Sequence, residues 1–91
     1  MRILVIGAGH TGAQVLHQLQ KNPALTVMVA DPHDRPYAVE QGIIASIDYR
    51  ESLTPLTLEY LLEKSKPDLV LPDSPGYQAL YSEIRNLSQG A

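Results

Sequence analysis

Short apolar runs alternate along this chain with stretches in which apolar residues recur every three or four positions. Residues 3–6 (Ile-Leu-Val-Ile) form an unbroken apolar run, as expected of a strand buried on both faces of a parallel sheet. In the next segment Gly12, Val15, Leu16 and Leu19 share one helical face, which predicts a helix over residues 10–21 that stops at Asn22-Pro23. A second strand is predicted over 25–30, a short helical turn over 37–41 closed by Gly42, and a third, short strand over 43–47. Thr54-Pro55 opens a helix with a capping hydroxyl and a proline in its first turn, and Leu58, Leu61 and Leu62 give it a buried face. Leu69-Val70-Leu71 reads as a fourth strand. Ser74-Pro75 opens a last helix over 75–87, with Leu80, Ile84 and Leu87 as its stripe.

This alternation predicts an α/β fold, a small three-layer α/β/α half-fold with a parallel sheet of about four strands in the order 3-2-1-4. Its 91 residues make one domain, 1–91, with room for about one half of a two-halved nucleotide-binding sheet.

The segment between the first two strands carries chemistry. Gly7-Ala8-Gly9-His10-Thr11-Gly12 leaves a strand and opens a helix, and Asp31 ends the next strand about twenty residues on. That context fits a dinucleotide-binding turn. Gly7 permits the tight turn, Gly9 lets a pyrophosphate approach the backbone, and Gly12 lets the helix lie close to the sheet. The free N–H groups and the positive dipole end of the helix face the phosphates. Thr11 adds a hydroxyl donor, and His10, inside the turn, can flank the pyrophosphate. Asp31 accepts from the ribose hydroxyls and repels a 2′-phosphate, so NAD(H) is expected, with NADP, ADP and ATP as the alternatives. Arg35 can stack on the adenine or partner a phosphate; the other reading is a solvated loop arginine. A tight strand-to-helix turn without a ligand would use the same glycines.

Composition narrows the classes. Apolar residues make up 44 % and charged residues 19 %, an ordinary globular balance. With no Phe and no Trp the core must be mainly aliphatic. The net charge is −3 and the seven basic residues are scattered, so no basic stripe points to nucleic acid. Without cysteine there are no disulfides, thiolate metal sites or Cys nucleophile. No stretch reaches the length of a membrane span. A cytoplasmic protein is the expectation.

The chain resembles the N-terminal nucleotide-binding half of NAD(P)-binding Rossmann proteins, over about residues 1–76. It is most similar to two kinds: the N-terminal domain of saccharopine dehydrogenase-like reductases, and the RCK or KTN domains that regulate potassium transport. The carriers are residues 3–12, Val29-Ala30-Asp31, Ile47-Asp48 and residues 66–71. The resemblance implies that Asp48 lies near the adenine and that residues 72–76 run past the cofactor. No substrate domain of the reductases and no further strands of the channel regulators are read in these residues.

Other constellations are weaker. The three histidines, 10, 17 and 33, share no metal spacing. Tyr60 and Lys64 match a short-chain dehydrogenase spacing but read as surface neighbours on a helix. Ser74 is accounted for by capping the last helix. The function expected is an NAD(H)- or adenine-nucleotide-binding module without catalytic residues of its own, acting on a partner. The alternatives are the cofactor half of an oxidoreductase completed by another chain or region, and a degenerate fold with assembly duties. Open sheet edges predict a homodimer or a partner protein, with the edge beyond the fourth strand covered by the last helix or a second copy.

Overall fold

The apolar run at the N-terminus becomes the middle strand of the sheet. In the computed structural model, which describes the backbone of residues 1–90 and the side chains through Arg85, β1 (Arg2–Ile6) pairs on one side with β2 (Thr26–Ala30) and on the other with β3 (Leu69–Pro72). Both pairings are parallel, Val5 standing opposite Val29 and Leu71. The helices are α1 (His10–Leu19), α2 (Tyr37–Glu40), α3 (Pro55–Ser65) and α4 (Pro75–Gly90). Leu87, expected on the last helix's inner stripe, lies outside the residues whose side chains are described.

Alternation along β1 sorts the core into two halves. Ile3 and Val5 face α1 and α2, where they pack with Ala13, Leu16, Val29 and Ala38. Leu4 and Ile6 face α3 and α4, with Met28, Leu58, Leu61 and Ile84. A strand covered on both sides needs apolar residues at every position, which is why this one lacks polar alternation. Arg2 ties the bottom of β1 to the end of α3: its Nε and Nη2 donate to the Ser65 carbonyl at 3.0 and 2.7 Å. Its backbone N–H donates to Asp68 Oδ2 at 2.7 Å.

Helix starts follow the local chemistry. Thr54 caps α3 in a reciprocal box with Thr57, and Pro55 takes the first helical position. Ser74 Oγ accepts from the Tyr77 N–H at the start of α4.

The sheet has three strands in the order β2-β1-β3, not four in the order 3-2-1-4. Residues 43–47 form no strand. The N–H groups of Ile43 and Ile44 both donate to the Ala38 carbonyl, curling the chain back onto α2 after Gly42, whose φ is +72°. The outward N–H of Val29 is then met by the Asp48 carboxylate at 2.8 Å rather than by a backbone carbonyl. Pairing on that edge shrinks to a single bridge between Ala30 and Tyr49. Ile43, Ile44 and Ile47 still pack against the α1 side of the core, so their apolar character is spent on a loop. A cleft of about 270 Å³ remains between α1, the Val27 edge and this loop. Among the described residues no helix is long and apolar enough to cross a membrane.

Leu56 and Leu58 offer a paired test on α3, the first 78 % exposed and the second fully buried. Leu58→Ala should cost about 2–5 kcal/mol and Leu56→Ala within about 0.5 kcal/mol in equilibrium urea unfolding. Equal losses would mean that α3 is not seated on the sheet by Leu58.

Candidate functional site

Gly7 leaves β1 with a φ of +94°, a conformation that side chains other than hydrogen rarely tolerate. The chain reverses through Ala8 and Gly9 and enters α1 at His10. Gly9 is the N-cap of α1 but has no side chain to cap with. The first N–H groups of a helix have no acceptors inside it, so this turn concentrates donors and positive potential at the C-terminal edge of the sheet.

Two carboxylates answer that potential. Asp31, at the end of β2, is only 4 % exposed. Its Oδ2 accepts from the Ala8 N–H at 2.8 Å, and its Oδ1 accepts from the His33 backbone N–H at 2.8 Å. The same Oδ1 lies 2.9 Å from His33 Nδ1. Asp73, just past β3, is half-buried and places Oδ2 3.1 Å from the Gly9 N–H. Its own N–H donates to the Ile6 carbonyl at 2.9 Å, which fixes its backbone against the end of β1.

The three motif glycines differ in what demands them. A Cβ at Gly7 would strike the Asp73 carboxyl group, and one at Gly12 would strike the Gly7 carbonyl oxygen. Gly12 is closed by backbone and Gly7 by its positive φ, with the Asp73 side chain resting in front of it. At Gly9 the nearest heavy atom to a Cβ would be Asp73 Oδ2 at 3.3 Å, and φ is an ordinary −76°. Gly9 is therefore the motif glycine least required by the fold.

The remaining predicted residues spread out. His10 is exposed and stacks on Tyr37 with ring centroids 3.9 Å apart, while Thr11 lies exposed on the first turn of α1. The Ala38 N–H of α2 donates to the Ala8 carbonyl, so α2 buttresses the turn from outside. Arg35 is turned to Glu40 at 3.1 Å on the exposed face. Asp48 is held on the β2 edge by Val29 rather than at the end of the sheet. Thus Gly7, Gly9, Gly12 and Asp31 come together with His10 and Thr11 beside them, and Arg35 and Asp48 do not join them. Tyr60 and Lys64 are neighbours on α3, the ammonium 5.7 Å from the ring centroid, on its exposed side. Among the described residues no group of three His, Cys, Asp or Glu side chains is placed to hold a metal ion.

No protein-family model matches the chain, and no curated protein matches it.

Asp73 and Tyr77 are the additions that motif reading did not make. Tyr77 lies on the first turn of α4 above this edge, half-buried, and its phenol is pushed above the ordinary 10.0 by burial, then by Asp31 and Asp73. The sequence signals for Asp73 were its place just after a strand, where functional loops gather, and the family resemblance, which runs residues 72–76 past the cofactor.

Two outcomes follow. Gly12→Ala should destabilise the fold by about 1–3 kcal/mol, because the methyl group meets backbone rather than a yielding side chain. A loss near zero in urea unfolding would show that α1 can shift away from Gly7. The raised Tyr77 pKa means that the unfolded chain releases this proton first as pH rises. The stability from Tyr77 is complete below pH 10.0 and is lost above it, through the folded-state pKa. Tyr77→Phe should make the fall in stability above that pH shallower than in the wild type, and an identical fall would remove Tyr77 as its source.

Proposed function

We propose that this chain binds NAD(H), or an adenine nucleotide, on the turn at the end of β1, and that it is a Rossmann-like regulatory module without catalytic residues of its own. The observation that carries the reading is the position of the turn. β1 is the central strand, the chain leaves it towards β2 and later returns to β3 on its other side, and α1 and α4 lie on opposite faces. The end of β1 is therefore a switch point of the sheet, where ligands of open parallel sheets bind. The N–H groups that open α1 are aimed at that point, and Gly9 keeps the approach to them free of a side chain.

The donors present suit a phosphate. The acceptors suit a ribose less generously. A carboxylate has about four acceptor positions, and Asp31 already uses three of them on Ala8 and His33. One position on Oδ2 is left for a ribose hydroxyl, and the negative charge beside it favours NAD(H) over NADP. His10 and Thr11 flank the phosphates, whereas Arg35 and Asp48 are left out of the proposed site. The non-catalytic part of the reading rests on the carboxylates: both Asp31 and Asp73 are tied to backbone N–H groups of the turn.

Titration calorimetry with NAD, NADH, NADP, ADP and ATP tests the reading. NAD or NADH should bind more tightly than NADP, and Gly9→Val should abolish binding while the folded far-UV spectrum persists, since valine tolerates the Gly9 backbone angles. If neither the wild-type chain nor a chain lacking the Asp73 carboxylate binds any nucleotide at millimolar concentration, the proposal falls. Preference for ADP or ATP would keep the site and move the ligand to the adenine nucleotides.

A further inference from the structure

The Asp73 carboxylate sits on one of the donors that the turn could offer a ligand phosphate. Its Oδ2 takes the Gly9 N–H at 3.1 Å, and the carboxyl group fills the space in front of the Gly7 Cα where a Cβ would have to go. A negatively charged group at the start of a helix lacking its own cap is what the local field favours. The carboxylate thus reproduces, from within the chain, the charge and the hydrogen bond of a bound phosphate oxygen.

We propose that Asp73 is a built-in competitor for the phosphate site of the glycine turn, and that a ligand phosphate binds only as this carboxylate swings off the Gly9 N–H. The inference rests on the nucleotide reading of the turn and adds its regulation. Asp73 can swing without unfolding anything around it. Its backbone is anchored by the bond from its N–H to the Ile6 carbonyl, and the next residue, Ser74, accepts from the Tyr77 N–H to start α4. Rotation about the side-chain bonds therefore suffices, and the side chain is half-buried rather than sealed. Asp31 has no such freedom. It is buried, and three donors hold it. The two carboxylates of this edge divide the work: Asp31 shapes the turn and Asp73 gates it.

The geometry sets the sign of each substitution. Asp73→Ala removes both the competing acceptor and a negative charge next to the incoming phosphate, so phosphate ligands should bind at least about tenfold more tightly. Asp73→Asn keeps an acceptor for Gly9 but loses the charge, so its affinity should fall between those of the wild type and Asp73→Ala. A carboxylate that instead prepared the turn for ligand, or bonded the ligand itself, would give the opposite order.

The experiment is a titration of the full chain and both variants with ADP and with inorganic pyrophosphate, read from amide cross-peaks in ¹H–¹⁵N spectra. Peak dispersion reports the fold in the same spectra, and Asp73→Asn keeps the test open if Asp73→Ala does not fold. Affinity in the order Ala, Asn, wild type, with the Gly9 amide among the perturbed peaks, is the expected result. Binding by the variants alone supports the competitor equally and shows the wild-type turn closed at those concentrations. Wild-type binding that is unchanged or weakened in the variants overturns the competitor and leaves the nucleotide reading standing. No binding by any of the three chains overturns both.

Discussion

The structure depends on one close approach. At the end of β1 the backbone turns at Gly7, α1 begins against it at Gly12, and the first residue after β3 presses its carboxyl group into the same corner. Two strands and a helix meet where neither Gly7 nor Gly12 has room for a Cβ. Contacts this tight are expensive to leave incompletely satisfied, because a buried backbone N–H without an acceptor forfeits a hydrogen bond it had in water. Asp31 answers the Ala8 N–H, Asp73 the Gly9 N–H and the Ala30 carbonyl the Gly7 N–H. Each of those acceptors comes from a different part of the chain than the turn it completes. The turn is therefore a product of the tertiary fold, and β2 and β3 must be in place before its donors are met.

The electrostatics of this edge follow from the same corner. A helix that begins on a glycine cannot cap itself with its own side chain. The positive end of α1 is then left to whatever anion the fold can bring to it. β2 brings Asp31 and β3 brings Asp73, and the Tyr77 phenol that α4 adds above them has its pKa raised by burial first and by the two carboxylates second. An acidic pair on one sheet edge would repel itself in isolation. It is tolerated here because each member is turned towards a backbone donor of the turn, and because His33 stands against Asp31 on its solvent side.

Much of this was legible in the chain as written. The end of β1, the start of α1, the Thr54-Pro55 entry to α3 and the start of β3 all agree with their local signals, since each is set by residues within a few positions of one another. Residues 43–47 are the instructive departure. Their apolar run has strand length, but a strand also needs its backbone free to pair, and here that backbone is bound to Ala38 while the Asp48 side chain takes the Val29 N–H. Their side chains do go inward, against the α1 side of the core, but on a loop rather than a strand. Asp48 moved for the same reason, its carboxylate bound to a backbone N–H 19 positions away. Arg35 is drawn aside by a local partner, Glu40, five positions on. The Asp73 contact spans 64 positions and arises because β3 lies beside β1.

This corner also changes what a glycine motif means. The three glycines of such a turn answer different demands, and here the outer two are demanded by the protein's own backbone and atoms. Gly7 is needed for its φ and for Asp73, and Gly12 is needed for the Gly7 carbonyl. A chain with the same fold would have to keep both whether or not it bound anything. Gly9 is different, since its backbone angles suit any residue and its surroundings leave a methyl group almost enough space. On the proposed reading, ligand approach is the demand that falls on Gly9 more heavily than the fold does. That reading concentrates the functional content of the motif in its middle glycine and in the carboxylate that rests against it, while the outer two record how the strand, the helix and the third strand were brought together.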